Sequence, residues 1–180
     1  MRTGRLSRGF TLVEASIAVA IAAITMSTVG PNFAGFIEKR RIDGVAAELA
    51  TDIQFARTEA VLRNSPVRLS VHVESWGSCY LLHTGAAADC DCHTQGVAQC
   101  GAQARAIKTV LLPTTDQVGV QANVTSMLFD PLHGTSTPSG TLKVVGVSGR
   151  AVHHVVNIMG RVRSCSPQGA APALAGYRAC

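Results

Sequence analysis

Two shortages and one imbalance frame this chain. Aromatic residues are scarce: Phe, Tyr and Trp together make up 4% of its 180 residues. That excludes a platform of ring side chains on which successive bases could stack. Cysteine is missing from the first part of the chain, and all six cysteines (Cys79, Cys90, Cys92, Cys100, Cys165, Cys180) fall from residue 79 onwards. Six is many for a reduced cytosolic protein without metal or redox chemistry, and the number fits an oxidising compartment. Acidic residues are absent from Pro131 to Cys180. No Ser/His/Asp or Cys/His arrangement has motif context, so the expectation is a protein that is not an enzyme and carries no cofactor.

What is present begins with the N-terminus. "MRTGRLSRG" holds three arginines, Arg2, Arg5 and Arg8, and no acid. It precedes 28 residues, Phe10 to Ile37, whose only charge is Glu14. That stretch is long enough to span a bilayer as a helix, with the arginines holding the leader on the cytoplasmic side. A secretory signal would have a shorter apolar region followed by a small-residue cleavage site. A carboxylate inside such a stretch is costly in lipid and marks a functional position. Gly30-Pro31 predicts a kink, since proline lacks a backbone donor and clashes with the preceding turn.

After "EKRR" (38–41), residues 42–64 read as an amphipathic helix with Val45, Leu49, Ile53, Ala56, Ala60 and Val61 on one face, stopped by "NSP" at 64–66. "VRLSVHV" alternates and predicts a strand with Val67, Leu69, Val71 and Val73 inward. Further strands are expected at 79–83, 107–112, 118–124, 127–129, 141–147 and 152–159, with a turn-rich segment at 130–140. The expected class is α+β: one long N-terminal helix, then a β-rich body.

"RGFTLVE" resembles the processing signal of type IV pilins and pseudopilins. The resemblance implies cleavage after Gly9 by a prepilin peptidase, methylation of Phe10, and a role for Glu14 in assembly with other pilins. There the carboxylate would pair with a neighbouring subunit's N-terminal amine, which makes two charges in a dry bundle tolerable. "ARTEAVLRNSPVRLSV" (56–71) and "FDPLHGTSTPSGTLKV" (129–144) are similar to the GspH/FimT branch of that family. The implied organisation is a leader at 1–9, a transmembrane and assembly helix at 10–37 anchored in the inner membrane, and a periplasmic head at 38–180. Residues 75–106 depart from the pattern.

"CDCH" at 90–93 is the one metal candidate, but C-x-C-H-x₆-C is not a zinc spacing, so disulfides are expected and no metal. Cys79, Cys90, Cys92 and Cys100 allow three pairings, left open here. Cys165 and Cys180, adjacent in order, are expected to close a loop around the tail. His153 and His154 adjoin in a strand and should face opposite ways.

The formal net charge is +5, and it is unevenly divided. Phe10 to Asp130 holds 8 basic and 11 acidic residues, whereas Pro131 to Cys180 holds only Lys143, Arg150, Arg161, Arg163 and Arg178. A cationic end on a mildly acidic body is an electrostatic footprint for a polyanion. "GRVR" at 160–163 resembles the GRxR motif of FimT-like minor pilins from naturally transformable bacteria, where it binds DNA. The resemblance implies double-stranded DNA as a partner, held through its phosphates by Arg161 and Arg163, with Gly160 allowing close approach. In an extended chain the two arginines would project from one side, roughly 6.5–7 Å apart. Arg150, Arg178 and Lys143 are the supporting cations. The alternative is a GspH-like structural pseudopilin of a type II secretion system, with the arginines as solvated charges on an edge strand.

Overall fold

The computed structural model describes residues 9–93, 97–169 and 171–180, with the backbone alone for 28–32; the leader arginines Arg2, Arg5 and Arg8 and the side chain of Pro31 lie outside that description. By its internal contacts the chain divides into two compact units, Met1–Ile37 and Glu38–Cys180.

The first unit is the start of a helix, α1, that runs over Leu12–Arg63. Its start is capped: Thr11 Oγ1 accepts a hydrogen bond from the Glu14 backbone N–H at 3.3 Å. Thr11 and Glu14 therefore form a T-x-x-E cap, with the acid in the first turn where the helix dipole favours it. The hydroxyls of Ser16, Thr25 and Ser27 donate back to carbonyls three or four residues earlier, so they need no outside partner. Phe10, Leu12, Val13, Ile17, Val19, Ile21, Ile24 and Met26 are all exposed. Among the described residues no helix is long and apolar enough to cross a membrane.

The second unit carries the core. Ile42, Ala46, Leu49, Ile53, Ala56 and Ala60 of α1 are fully buried, at alternating spacings of four and three that keep one stripe facing inward. Ile42 and Ala46 were not among the expected residues. Val45 lies at the edge of the stripe, and Val61 is half-exposed. α1 ends in a Schellman motif: Asn64 is left-handed (φ 48), Ser65 N–H reaches Ala60 O at 3.2 Å and Asn64 N–H reaches Val61 O at 3.3 Å.

Among the described residues eleven strands follow: β1 Val67–Glu74, β2 Gly77–His83, β3 Cys90–Cys92, β4 Ala98–Cys100, β5 Ala106–Pro113, β6 Val118–Ala122, β7 Ser126–Phe129, β8 Ser136–Thr137, β9 Gly140–Gly146, β10 Ala151–Val156 and β11 Val162–Cys165. They form a five-stranded sheet in the order β5-β2-β1-β7-β8, a four-stranded sheet in the order β11-β10-β9-β6 and a small β3-β4 hairpin. Both large sheets contribute to one core with the helix stripe: Val67, Leu69, Tyr80, Leu82, Met127 and Phe129 from the first, Val120, Leu142, Val144, Val152 and Val156 from the second.

Three expectations need correction. Val73 is exposed because β1 runs past the core at its end. β8 lies inside the segment read as turn-rich. The strand expected over 152–159 stops at Val156, and a further strand, β11, follows at 162–165. The segment 75–106, unplaced from sequence, holds the β3-β4 hairpin and two disulfides, Cys79–Cys92 and Cys90–Cys100.

Candidate nucleic-acid interface

The motif "GRVR" lies on the β10-β11 hairpin, the outer edge of the four-stranded sheet. Asn157 ends β10 with a tight turn: Gly160 N–H donates to Asn157 O at 2.8 Å, and Arg161 N–H donates to Asn157 Oδ1 at 2.9 Å. Gly160 closes the turn in the left-handed region (φ 69), which glycine adopts without steric cost. It also allows close approach, since a Cβ there would sit 2.7 Å from Gly134 O. Both arginines follow the turn: Arg161 directly precedes β11, its carbonyl accepting from Asn157 N–H at 3.2 Å, and Arg163 lies within the strand.

Arg163 stands opposite Val155 in register. Val155 is on the outer face, because its neighbours His154 and Val156 point into the core. Arg163 and Arg178 line one cavity of about 440 Å³, whose apolar wall is Val155, Ala179 and the Cys165–Cys180 disulfide. The tail that carries Arg178 is fixed by more than that disulfide. Ser166 N–H donates to Arg178 O at 2.8 Å and Cys180 N–H to Ser166 O at 3.2 Å. Leu174 is buried in the core, with its N–H on Ser166 Oγ at 3.0 Å.

The supporting cations divide. Lys143 of β9 is paired in register with His153 of β10, on the outer face of the same sheet. One strand, β10, lies between it and β11, so the two are roughly 10 Å apart at the usual strand spacing. Burial, and then the neighbouring Lys143 charge, holds the His153 imidazole below the ordinary histidine range. Arg150 is elsewhere. It sits in the β9-β10 turn, at the opposite end of β10 from the motif, and its guanidinium meets Glu38 Oε2 at 2.5 Å. Arg161, Arg163, Arg178 and Lys143 have no side-chain hydrogen bond or ion pair among the described residues. His154 is buried with Nδ1 2.9 Å from Ser164 Oγ, inside the sheet.

At the other end of the chain, Gly9 and Phe10 are exposed immediately before α1. The "CDCH" cysteines are all in disulfides, and among the described residues no group of three or more His, Cys, Asp or Glu side chains is placed to hold a metal.

Sequence reasoning missed two features. Asp52 of α1 is buried, accepting from Tyr80 Oη at 2.7 Å and from Lys108 Nζ at 2.7 Å. Burial and the Asp52 carboxylate raise the Tyr80 phenol well above its ordinary range. Arg57, on the same helix, lies between Gly134 and Gly160. A charge on a helix reads as part of a solvated face, and nothing in its spacing shows that two glycines will close around it.

A long helix packed on an antiparallel β head, behind an apolar N-terminal stretch capped by Thr11 and Glu14, defines a pilin-like protein. The chain belongs to the GspH family: the family model described as type II transport protein GspH matches residues 45–160. The prokaryotic N-terminal methylation motif matches residues 4–30. Solved structures with the same fold include the type IV minor pilin FimU of Pseudomonas aeruginosa, with TM-score 0.50 and 18% identity over 76% of this chain and 99% of that one. The minor pseudopilin EpsH of the Vibrio cholerae type 2 secretion system gives TM-score 0.50 and 10% identity over 72% and 99%. No curated protein matches the sequence. The family match ends at Gly160, so Arg161 and Arg163 lie just outside it.

Proposed function

We propose that this chain is a minor type IV pilin whose head binds extracellular DNA through its phosphates, independently of sequence, and serves uptake in natural transformation. The observation that carries this reading is the set of unpaired cations on one edge of the head. Arg161, Arg163 and Arg178 have no acid beside them in the final fifty residues, and Arg163 and Arg178 share one cavity. Solvent-facing guanidinium groups without protein partners are suited to phosphate, and phosphate contacts carry no sequence information.

On this reading a prepilin peptidase cuts after Gly9 and Phe10 becomes the methylated N-terminus. Residues 10–37 then anchor the chain in the inner membrane by a single pass, with the head periplasmic, before incorporation into the pilus. The exposed apolar side chains from Phe10 to Met26 require lipid or neighbouring helices to cover them. Glu14 meets a neighbouring pilin's terminal amine there.

The second reading is a structural minor pseudopilin of a type II secretion system, favoured by the family description. Fluorescence anisotropy of the purified, detergent-held chain with two unrelated 30-base-pair duplexes separates them. A pilin that captures DNA binds both equally, and its affinity falls linearly with salt on a log–log plot. Absence of binding at low salt leaves the pseudopilin reading.

A further inference from the structure

We infer that Arg57, on the helix rather than in the basic tail, is a further phosphate ligand of the same interface. The inference rests on the DNA-binding reading above. Arg57 occupies a slot between two left-handed glycines, Gly134 (φ 61) and Gly160 (φ 69). A Cβ built on Gly134 would lie 2.9 Å from Arg57 Nε, and one built on Gly160 would lie 3.2 Å from its Cδ and 3.3 Å from its Nε. A Cβ at Gly134 would displace the arginine, and one at Gly160 would crowd it while meeting Gly134 O at 2.7 Å, so the two glycines keep this slot open.

A side chain held this closely has lost much of its freedom before any ligand arrives, which lowers the entropy cost of binding. Its charge is nevertheless unanswered. Arg57 is half-buried, yet no hydrogen bond or ion pair to it exists among the described residues. The acid of the adjoining turn, Asp130, turns its Oδ1 to Leu132 N–H, His133 N–H and the His133 ring at 2.8–3.1 Å and makes no ion pair with Arg57. Glu59, two positions along α1, is paired with Arg63. A partly desolvated guanidinium without a partner calls for an anion from outside. The anion consistent with its place, beside the residue that precedes Arg161, is a phosphate of the duplex that the hairpin engages. Arg57 then extends the footprint from the sheet edge onto the helix.

The test uses the full processed chain in detergent and a 30-base-pair duplex. Arg57→Gln is expected to weaken binding about 5-fold and to lower the slope of log affinity against log salt by roughly 0.9, one contact's worth. Arg57→Lys, which keeps the charge, is expected to restore most of that slope; a role confined to packing would move the melting temperature but leave the slope untouched. Phenylglyoxal labelling of the unaltered chain, read by peptide mass spectrometry, serves even where a variant fails to fold. DNA should protect Arg57 together with Arg161 and Arg163. If those two are protected while Arg57 reacts at the same rate with and without DNA, or if Arg57→Gln keeps the parental slope, the inference is wrong and the DNA reading survives. A parent chain that binds no duplex overturns both.

Discussion

Arg150 and Glu38 form an ion pair at 2.5 Å that fastens the β9-β10 turn to the beginning of the head's share of α1. Ser148 N–H adds a bond to Glu38 Oε1 at 2.8 Å. Burial opposes the carboxylate charge, but the hydrogen bonds from Arg150 and Ser148 outweigh it and hold Glu38 below the ordinary glutamate range. Arg150 is therefore a structural cation, and Arg150→Gln is expected to leave the salt slope of DNA binding unchanged. It should cost about 1–2 kcal/mol of stability, since it leaves a largely buried carboxylate unpaired. Urea unfolding and anisotropy on the same preparation check both halves. Because the folded pKa is depressed, this contribution is present above the unfolded glutamate pKa and is lost as pH falls through the folded one.

The arginines of the hairpin should behave in the opposite way. Arg161→Gln/Arg163→Gln is expected to weaken binding to all duplexes alike, by about 30-fold if each exposed contact contributes roughly 1 kcal/mol. The salt slope should fall by roughly 1.8, or about 0.9 per contact. Unfolding should shift by less than about 0.5 kcal/mol, because neither side chain holds the fold. Transformation should drop while pili still assemble. A double variant with parental affinity and slope would remove the DNA assignment.

Two buried histidines make stability depend on acid. His83 and His154 are 0% and 1% exposed. His83 Nδ1 lies 3.0 Å from Thr84 O and its Nε2 2.8 Å from Ser70 Oγ, a pair of partners suited to the neutral ring. Burial pushes both imidazoles below the ordinary histidine range. Above the unfolded pKa both states are neutral and nothing is lost. As pH falls below it, the unfolded chain gains protons that the fold refuses, so stability declines until the folded pKa is reached. Each histidine contributes up to about 1.4 kcal/mol per pH unit in that window. Urea midpoints at pH 7.5, 6.0 and 5.0 should fall in that order, and a flat profile would contradict the assignment of both rings as neutral.

Processing gives a separate check. Chain extracted from cells with an active prepilin peptidase should lack residues 1–9 and carry a methyl group on Phe10, as intact mass and N-terminal peptides will read. Glu14→Ala should still be inserted and cleaved but enter filaments poorly, because the neighbouring amine then has no counter-charge. An intact Met1 leader in such cells would contradict the pilin reading.

The helix and most of the strands were legible because their patterns are local. Leu49, Ile53, Ala56 and Ala60 recur at helical spacing, and Val67 and Leu69 alternate. The β10-β11 hairpin was not legible, since "VVNIM" reads as a continuing strand with one polar residue, and only the turn bonds of Asn157 and the left-handed Gly160 break it. The basic tail was visible as charge. Its division was not, because Arg150 finds Glu38 across 112 residues and no local pattern reports such a pairing. Arg57 was hidden for the same reason: its slot is made by glycines far along the chain.

The β3-β4 hairpin has a consequence for how such a head can vary. Cys90 faces Cys100 directly across its two strands, and Cys79–Cys92 rivets it to β2. Cys90 is the one fully buried apolar residue between β2 and β5 among those described. The appendage is thus held by covalent bonds and not by the interior, so its exposed residues can be exchanged without disturbing the scaffold beneath.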